Sequence, residues 1–419
     1  MSFQQGLSGL NASSRALDAI GNNIANSGTV GFKGANAQFS DIYAASLNGT
    51  GSSQVGIGTN VAAVAQTFTQ GNLTTTNNPL DLAINGGGFY RMSDQTGASA
   101  GSIAYTRNGQ FLLNKDGYVV NAQGLYLTGL QADPVTGIVP NSGQPGAIRM
   151  DTSLINPNAT TESEIGFNLD SREAVPANAF DQTDPTTYNW TTTQPVYDSL
   201  GNPHNLQLYF VKLAPTAGPP VVGANTWQMY TSLDGSTAAV SGPNVTFDSF
   251  GNLTAPAAPV ALSFALTNGA ATPFNFTVDI GDATQFGDEA GLNSMVQDGY
   301  TSGRLSGVAV SADGTIQGVY SNGRTRDMGR IVLSSFQNPN GLQNMGGNLW
   351  RETADSGQPV TGMPGEGNFG VIQSASVEDS NVDLTAELVD MIVQQRAYQA
   401  NAQTIKTQDQ ILQTLVNLR

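Results

Sequence analysis

Residues 384–419 read LTAELVDMIVQQRAYQANAQTIKTQDQILQTLVNLR, and their spacing decides how the rest of the chain is organised. Leu384, Leu388, Met391, Gln395, Tyr398, Ala402, Ile405, Asp409, Leu412 and Val416 fall at alternating intervals of four and three, a heptad phase that two polar exceptions, Gln395 and Asp409, do not break. The stretch holds no Gly or Pro and is rich in Glu, Gln, Leu, Ala and Lys, which predicts one helix roughly 50 Å long. Ser380 and Asp383 have capping-box spacing at its start. A second stripe, Ile392 with Ile411, Leu415 and Leu418, widens the apolar face, so the helix needs more than one neighbour.

The opposite end carries a shorter version. Residues 3–26, FQQGLSGLNASSRALDAIGNNIAN, place Phe3, Leu7, Leu10, Leu17 and Ile24 on the same four-and-three spacing, with Ser14 and Gly21 in the missing positions. Gly6, Gly9, Ala12, Ser13, Ala16 and Ala19 crowd this segment and allow another backbone to come close. The spacing predicts a helix of about 35 Å that stops near Asn26-Ser27-Gly28, with Gly28 as a left-handed cap.

Neither stripe can be buried by its own helix. Heptad stripes pair with helical partners, so the two ends of the chain are expected to meet as an antiparallel coiled coil. Everything between about 31 and 371 is then inserted between them as a nested set of β-rich domains. The expected fold class is multidomain and mainly β, with terminal α-helices.

The middle supports this. Phe274, Phe276, Val278 and Ile280 alternate with small or polar residues, as do Val260, Leu262, Phe264 and Leu266. Tight turns separate such runs at Lys115-Asp116-Gly117, Asp198-Ser199-Leu200-Gly201, Asp248-Ser249-Phe250-Gly251 and Asp313-Gly314. With 419 residues, 49 glycines and only 11% charged residues, the chain fits about two to four domains dominated by short strands. Interruptions near 141–145 and 281–291 mark the expected inner boundaries.

Composition excludes several functions. Thirty-two acidic residues against 16 basic ones give a formal charge of −16, which repels nucleic acid and anionic lipid. There is no cysteine, hence no disulfide, thiolate metal site or cysteine nucleophile. The opening MSFQQGLSGL lacks the n- and h-regions of a secretory signal, and no run approaches the roughly 20 apolar residues of a membrane span. Export, if it occurs, is expected by another route, and no membrane insertion is expected.

Chemistry finds little support. His204 is the sole histidine, so no His-rich metal site can form, and it reads as a solvated turn residue without a nucleophile elbow nearby. The Asp-Gly turns lack the ligand series of a calcium loop, and Gly86-Gly87-Gly88 lacks a nucleotide-binding continuation, so it reads as a strand-end turn. No catalytic residue, cofactor or metal is expected. A secreted β-rich adhesin would explain the turns but not the paired terminal heptads, and a carbohydrate hydrolase would have to work by carboxylates alone.

Two further runs carry a resemblance. Gly21, Asn22, Asn23, Ile24, Ala25 and Asn26, continuing through Thr29 to Gly31, Phe32 and Lys33, resemble the N-terminal signature of flagellar rod and hook proteins. Residues 380–384 (SNVDL), 394–399 (QQRAYQ), 401–405 (NAQTI) and 418–419 resemble the matching C-terminal signature. The runs 81–84, 88–90 and 105–111 are similar to segments shared by distal rod and hook subunits, and 196–204 with 208–211 to the outer domain of the hook subunit. A further β domain from about 147 to 288 favours hook over rod, and a distal rod subunit is the nearest alternative.

The resemblance implies a radial layout. Residues 1–30 and 372–419 would form the terminal helical domain, 31–70 and 355–371 a linking segment, 71–146 and 289–354 an inner β domain, and 147–288 an outer β domain. It implies a curved, self-assembled tube acting as a universal joint outside the cell, with type III export through the flagellar apparatus. The partners it implies are further copies of the chain, the distal rod protein, the hook-filament junction protein and a hook cap scaffold. Assembly would rest on Phe3, Leu7, Leu10, Leu17, Ile24, Leu384, Leu388, Met391, Tyr398, Ala402, Ile405, Leu412 and Val416.

Overall fold

Alternating burial is the rule through the middle of the chain: the strand Val260–Phe264 buries every second residue, and Phe274–Asp279 does the same opposite it. Leu262 faces Phe276 and Phe264 faces Phe274 across an antiparallel ladder, so both expected faces form one apolar surface. The structure is a computed structural model that describes residues 2–42, 56, 58–97, 101–134, 136–215, 225–235 and 239–417, without the side chains of 2 and 415–417. The chain divides into two compact units, one of residues 1–152, 306–319 and 325–419, the other of 153–305 and 320–324.

The second unit holds two sheets around one core. Strands Trp190–Tyr197, Pro203–Lys212, Thr226–Leu233, Val240–Phe247 and Leu253–Ala255 follow one another as an antiparallel meander. In the other sheet Glu162–Asp170 is central, flanked by Phe274–Asp279, Thr284–Phe286 and Gly291–Gln297. Phe167, Phe210, Trp227, Phe264 and Phe276 belong to the shared core. Each fully buried side chain of this size contributes about 1.5–3 kcal/mol.

In the first unit, thirteen strands among the described residues form a branched sheet running from Leu305–Val310 to Gln343–Gly346. Phe89, Tyr105, Phe336, Leu342 and Trp350 cluster there, with Tyr105 and Phe336 edge to face at 4.7 Å. The chain enters and leaves this body along paired tracks. Leu73–Thr75 pairs antiparallel with Ser376–Glu378, and Leu82–Asn85 with Val371–Ser374. These two short ladders bring the segments that lead to both ends of the chain side by side.

The expected helices form: α1 spans Ser2–Ala25 and α2 spans Leu384–Asn417. Their ends differ in detail from the sequence reading. Gly28 is not left-handed; the left-handed residue is Gly31, at φ 71°. Instead, Asn26 and Ser27 side chains bond back to the carbonyls of Asn22 and Ile24 and let the chain leave α1 through ordinary turns. At α2 the cap is Asp383, not Ser380: Asp383 Oδ1 accepts from the amides of Thr385 and Ala386. Ser380 is turned to the amide of Val382 because Asn381 beside it is tied to the β body.

Candidate assembly surface

The helices pair antiparallel, along a seam that the α1 heptad stripe does not draw, although Ile405 of the α2 stripe lies in it. On α1 the buried positions are Gly6, Ala12, Ser13, Ala16, Ile20 and Asn23, with Gly9 half-buried between them. A Cβ on Gly6 would stand 3.1 Å from Ile405 Cγ1, Gly9 sits against Asn401, and Asn23 Nδ2 donates to Glu387 Oε1 at 2.8 Å. The partner residue moves from 405 through 401 to 387 as α1 runs from 6 to 23, which fixes the direction. Small residues win this face because only they let the two backbones approach closely.

Half of the described stripe residues therefore remain open within one chain. Phe3 is 47% exposed, Leu7 44%, Leu384 46%, Leu388 45% and Leu412 55%, and Tyr398, Ile392, Val393 and Ile411 are exposed beside them. Leu10, Leu17, Ile24, Met391, Ala402 and Ile405 are half-buried, and Ile405 lies in the seam itself. The side chain of Val416 lies outside the described residues. Apolar rows on both sides of a paired-helix seam are the feature expected of a surface that other molecules cover.

The signature residues do different work. Asn23 is buried where α1 meets the strand Ala35–Ile42: its Oδ1 accepts from the Ala35 amide at 2.9 Å, and its Nδ2 donates to the Ala35 carbonyl at 3.0 Å. Asn22, Asn26 and Thr29 form a local chain of side-chain bonds across the turn after α1. Gly21 has open space on its Cβ side and Ala25 is exposed. Gly31 packs its backbone against Arg107 and Asn108, which leaves no room for a side chain, and Phe32 is buried.

Lys33 ends the signature inside the protein. Its Nζ is 2.5 Å from Glu378 Oε1 and donates to the Thr69 carbonyl at 2.7 Å. Arg107 Nη1 reaches Glu378 Oε2 at 3.2 Å, and the Gly71 amide donates to Oε1 at 2.9 Å. Burial pulls Lys33 below the usual lysine range, against the opposing attraction of Glu378. Two cations and one anion thus tie together the segment after α1, the segment before α2 and the β body. Asn381 adds to this knot, accepting from the Gly34 amide and donating to the Thr67 carbonyl.

Glu378, Glu387 and Arg107 were not singled out for any role by the sequence reading. A buried acid can be suspected from a Glu on a strand with apolar neighbours, as in Ser376–Glu378, but its two cationic partners are 345 and 271 positions away. His204 also differs from its reading. It is buried, and its ring bridges Asp234 at 2.7 Å and Asp198 at 3.2 Å, because the Asp198–Asn202 turn folds its carboxylate back over the strand that follows. Among the described residues no group of three or more His, Cys, Asp or Glu is placed to hold a metal ion. No described helix is long and apolar enough to cross a membrane.

Four family models match the chain in order. Residues 3–33 match the model described as flagella basal body rod protein, 83–166 flagellar hook protein FlgE/F/G D1 domain, 168–300 flagellar basal body protein FlaE D2 domain, and 373–418 flagellar basal body rod FlgEFG protein C-terminal. The flagellar hook protein FlgE of Escherichia coli (strain K12) is 41% identical over 425 residues, covering 100% of both chains. The FlgE of Salmonella typhimurium is 42% identical over 428 residues, again covering both fully, and that of Borreliella burgdorferi 33% identical, covering 100% of this chain and 99% of its own. Among solved structures, Helicobacter pylori flagellar hook protein FlgE2 shares the fold with a TM-score of 0.54 at 15% identity, covering 72% of this chain and 99% of that one.

Terminal helices with open apolar rows, nested around a β body and matched end to end in this way, define a structural subunit of the bacterial flagellum. Within that class, the chain belongs to the flagellar hook protein family.

Proposed function

We propose that copies of this chain polymerise into the flagellar hook by burying the outer rows of the helix pair against neighbouring copies. The carrying observation is that Phe3, Leu7, Leu384, Leu388 and Leu412 stay exposed while the small residues between them already satisfy the intramolecular seam. Many modest apolar contacts repeated along a tube give a strong shaft from weak subunits. The Thr- and Asn-rich faces of the β units supply polar contacts that rearrange at small cost, so the tube bends while the helices stay engaged. It would in this way pass torque from rod to filament as a universal joint.

The same reading extends to layout and context. In that layout the helices at the two ends of the chain line a central channel, and linking segments near 31–70 and 355–371 lead from them to the β-rich units. The tube stands outside the cell, its subunits delivered by the flagellar export apparatus. Its partners are the distal rod protein at one end, the junction protein toward the filament at the other, and a cap scaffold during growth. The chain acts as a building part and catalyses no reaction.

The test replaces Leu388 and Leu412 with Ser. Both are exposed in the single chain, so the β units keep their circular dichroism and protease resistance while polymerisation is lost. Tubes of normal yield and thermal stability from this double variant overturn the proposal.

A further inference from the structure

His204 opens the strand that follows the Asp198–Asn202 turn, and both of its ring nitrogens face carboxylates. Nδ1 lies 2.7 Å from Asp234 Oδ2, and Nε2 lies 3.2 Å from Asp198 Oδ2. Asp234 is itself fixed: it is left-handed at φ 55°, and its Oδ1 accepts from the Asn205 amide at 2.8 Å. Asp198 Oδ1 accepts from the amides of Leu200 and Asn202, while Oδ2 accepts from Asn202 Nδ2 and, at 2.6 Å, from Asn268 Nδ2. Asn268 belongs to the loop joining Val260–Phe264 to Phe274–Asp279, strands of the other sheet. The Ala271 amide of that loop donates to Ser199 Oγ at 2.8 Å.

One imidazole therefore holds together two turns of one sheet and, through Asp198, a loop of the other. A neutral imidazole has a single N–H, and in this position it would turn a ring lone pair toward a carboxylate oxygen. Only the imidazolium donates to both. A cavity of about 260 Å³ lined by His204, Leu233, Asp234, Phe264 and Asn268 runs beside the ring and opens a route for proton exchange. The groups facing the ring are Asp198 from its own hairpin, Asp234 from the next turn, Asn268 from the loop, and the ring of Phe274 at 6.3 Å. Residues 265–273 contain no titratable side chain.

We propose that His204 is a proton-operated latch that holds the loop 265–273 closed against the Asp198–Asn202 and Asp234–Gly235 turns when protonated and releases it when the ring is neutral. Burial lowers the histidine pKa, but the hydrogen bonds from Asp234 and Asp198 outweigh it and the net shift is upward from 6.5. Since the folded pKa lies above the unfolded one, the latch contributes its full stability below 6.5 and loses it as pH rises through the folded value. The released loop belongs to a surface that the hook reading assigns to rearrangeable contacts, but the latch is a property of the single chain and stands without that reading.

The chain has one histidine, so the imidazole titration of the full-length protein followed by NMR belongs to His204 alone. The expected result is an apparent pKa above 6.5. Amide exchange of 265–273, corrected for intrinsic rates, should lose protection between pH 6 and pH 9 by about tenfold for each unit of upward shift. Asp234→Asn keeps the shape of the site and should bring the titration down, and His204→Gln should make the loop's protection independent of pH. A pKa at or below 6.5, equal loop protection at both pH values in the unaltered chain, or an unshifted titration in Asp234→Asn each overturns the latch.

Discussion

Asn23 of α1 and Glu387 of α2, 364 positions apart, are joined by a 2.8 Å hydrogen bond, and the same Asn23 closes a second pair of bonds with the backbone of Ala35. A single amide thus ties the end of α1 both to α2 and to the strand that follows it. Its sequence neighbours in the signature, Asn22 and Asn26, serve only the local turn.

Asn23→Ala should strand the Ala35 amide and carbonyl and cost about 1–3 kcal/mol. Asn23→Asp should cost more, since it removes the donor and sets a carboxylate against Glu387. Hydrogen exchange at Ala35 and chemical unfolding of the first unit measure both; equal stability of the two variants would contradict the geometry.

Glu378 balances two buried cations. Glu378→Ala leaves Lys33 and Arg107 without a counter-charge in the interior and is expected to cost about 3–5 kcal/mol. Lys33→Met should cost less, because Arg107 still neutralises the carboxylate. The ranking is read from urea midpoints of the two variants, with exchange in strand Thr226–Leu233 of the second unit as an unaffected internal control.

Two glycines of α1 should behave oppositely. A Cβ at Gly6 meets Ile405, whereas one at Gly21 meets nothing within 4 Å. Gly6→Val is expected to lower the temperature at which polymers dissociate. Gly21→Ala should stabilise α1 by about 0.5–1 kcal/mol and leave that temperature unchanged or higher.

Acid should weaken the second unit through Asp198. Burial raises the pKa of this carboxyl, but bonds from Asn202, Asn268 and His204 outweigh it and hold the group well below 3.8. The contribution is thus complete above 3.8 and lost as pH falls through the lower folded value. Asp198→Asn should flatten this acid limb and reduce stability at neutral pH; unfolding curves between pH 2 and 7 show both effects. An unchanged acid limb would remove Asp198 from the account.

Local patterns made much of this fold legible. The heptad runs gave helices whose observed bounds, Ser2–Ala25 and Leu384–Asn417, lie within a few residues of the reading. Alternation correctly placed Leu262 and Phe276 on buried faces, and the Asp-Gly turns stand where glycine's left-handed freedom is needed, as at Gly117 and Gly314. Helix caps were read less well. Asp383 replaced Ser380 because its neighbour Asn381 is held by the Gly34 amide, a bond spanning 347 positions.

The residues by themselves determined the number of helices, their antiparallel meeting and the strand faces, because periodicity records which side of an element avoids water. They could not say which face of α1 meets α2, since apolar rows and small-residue rows both call for a neighbour. Only the folded chain assigned the small row to the seam through Gly6 and Ile405 and left Leu388 and Leu412 outside. Nor could sequence reveal that Lys33 or His204 is buried, because a charge enters the interior only where distant partners, here Glu378 for one and Asp198 with Asp234 for the other, arrive to receive it.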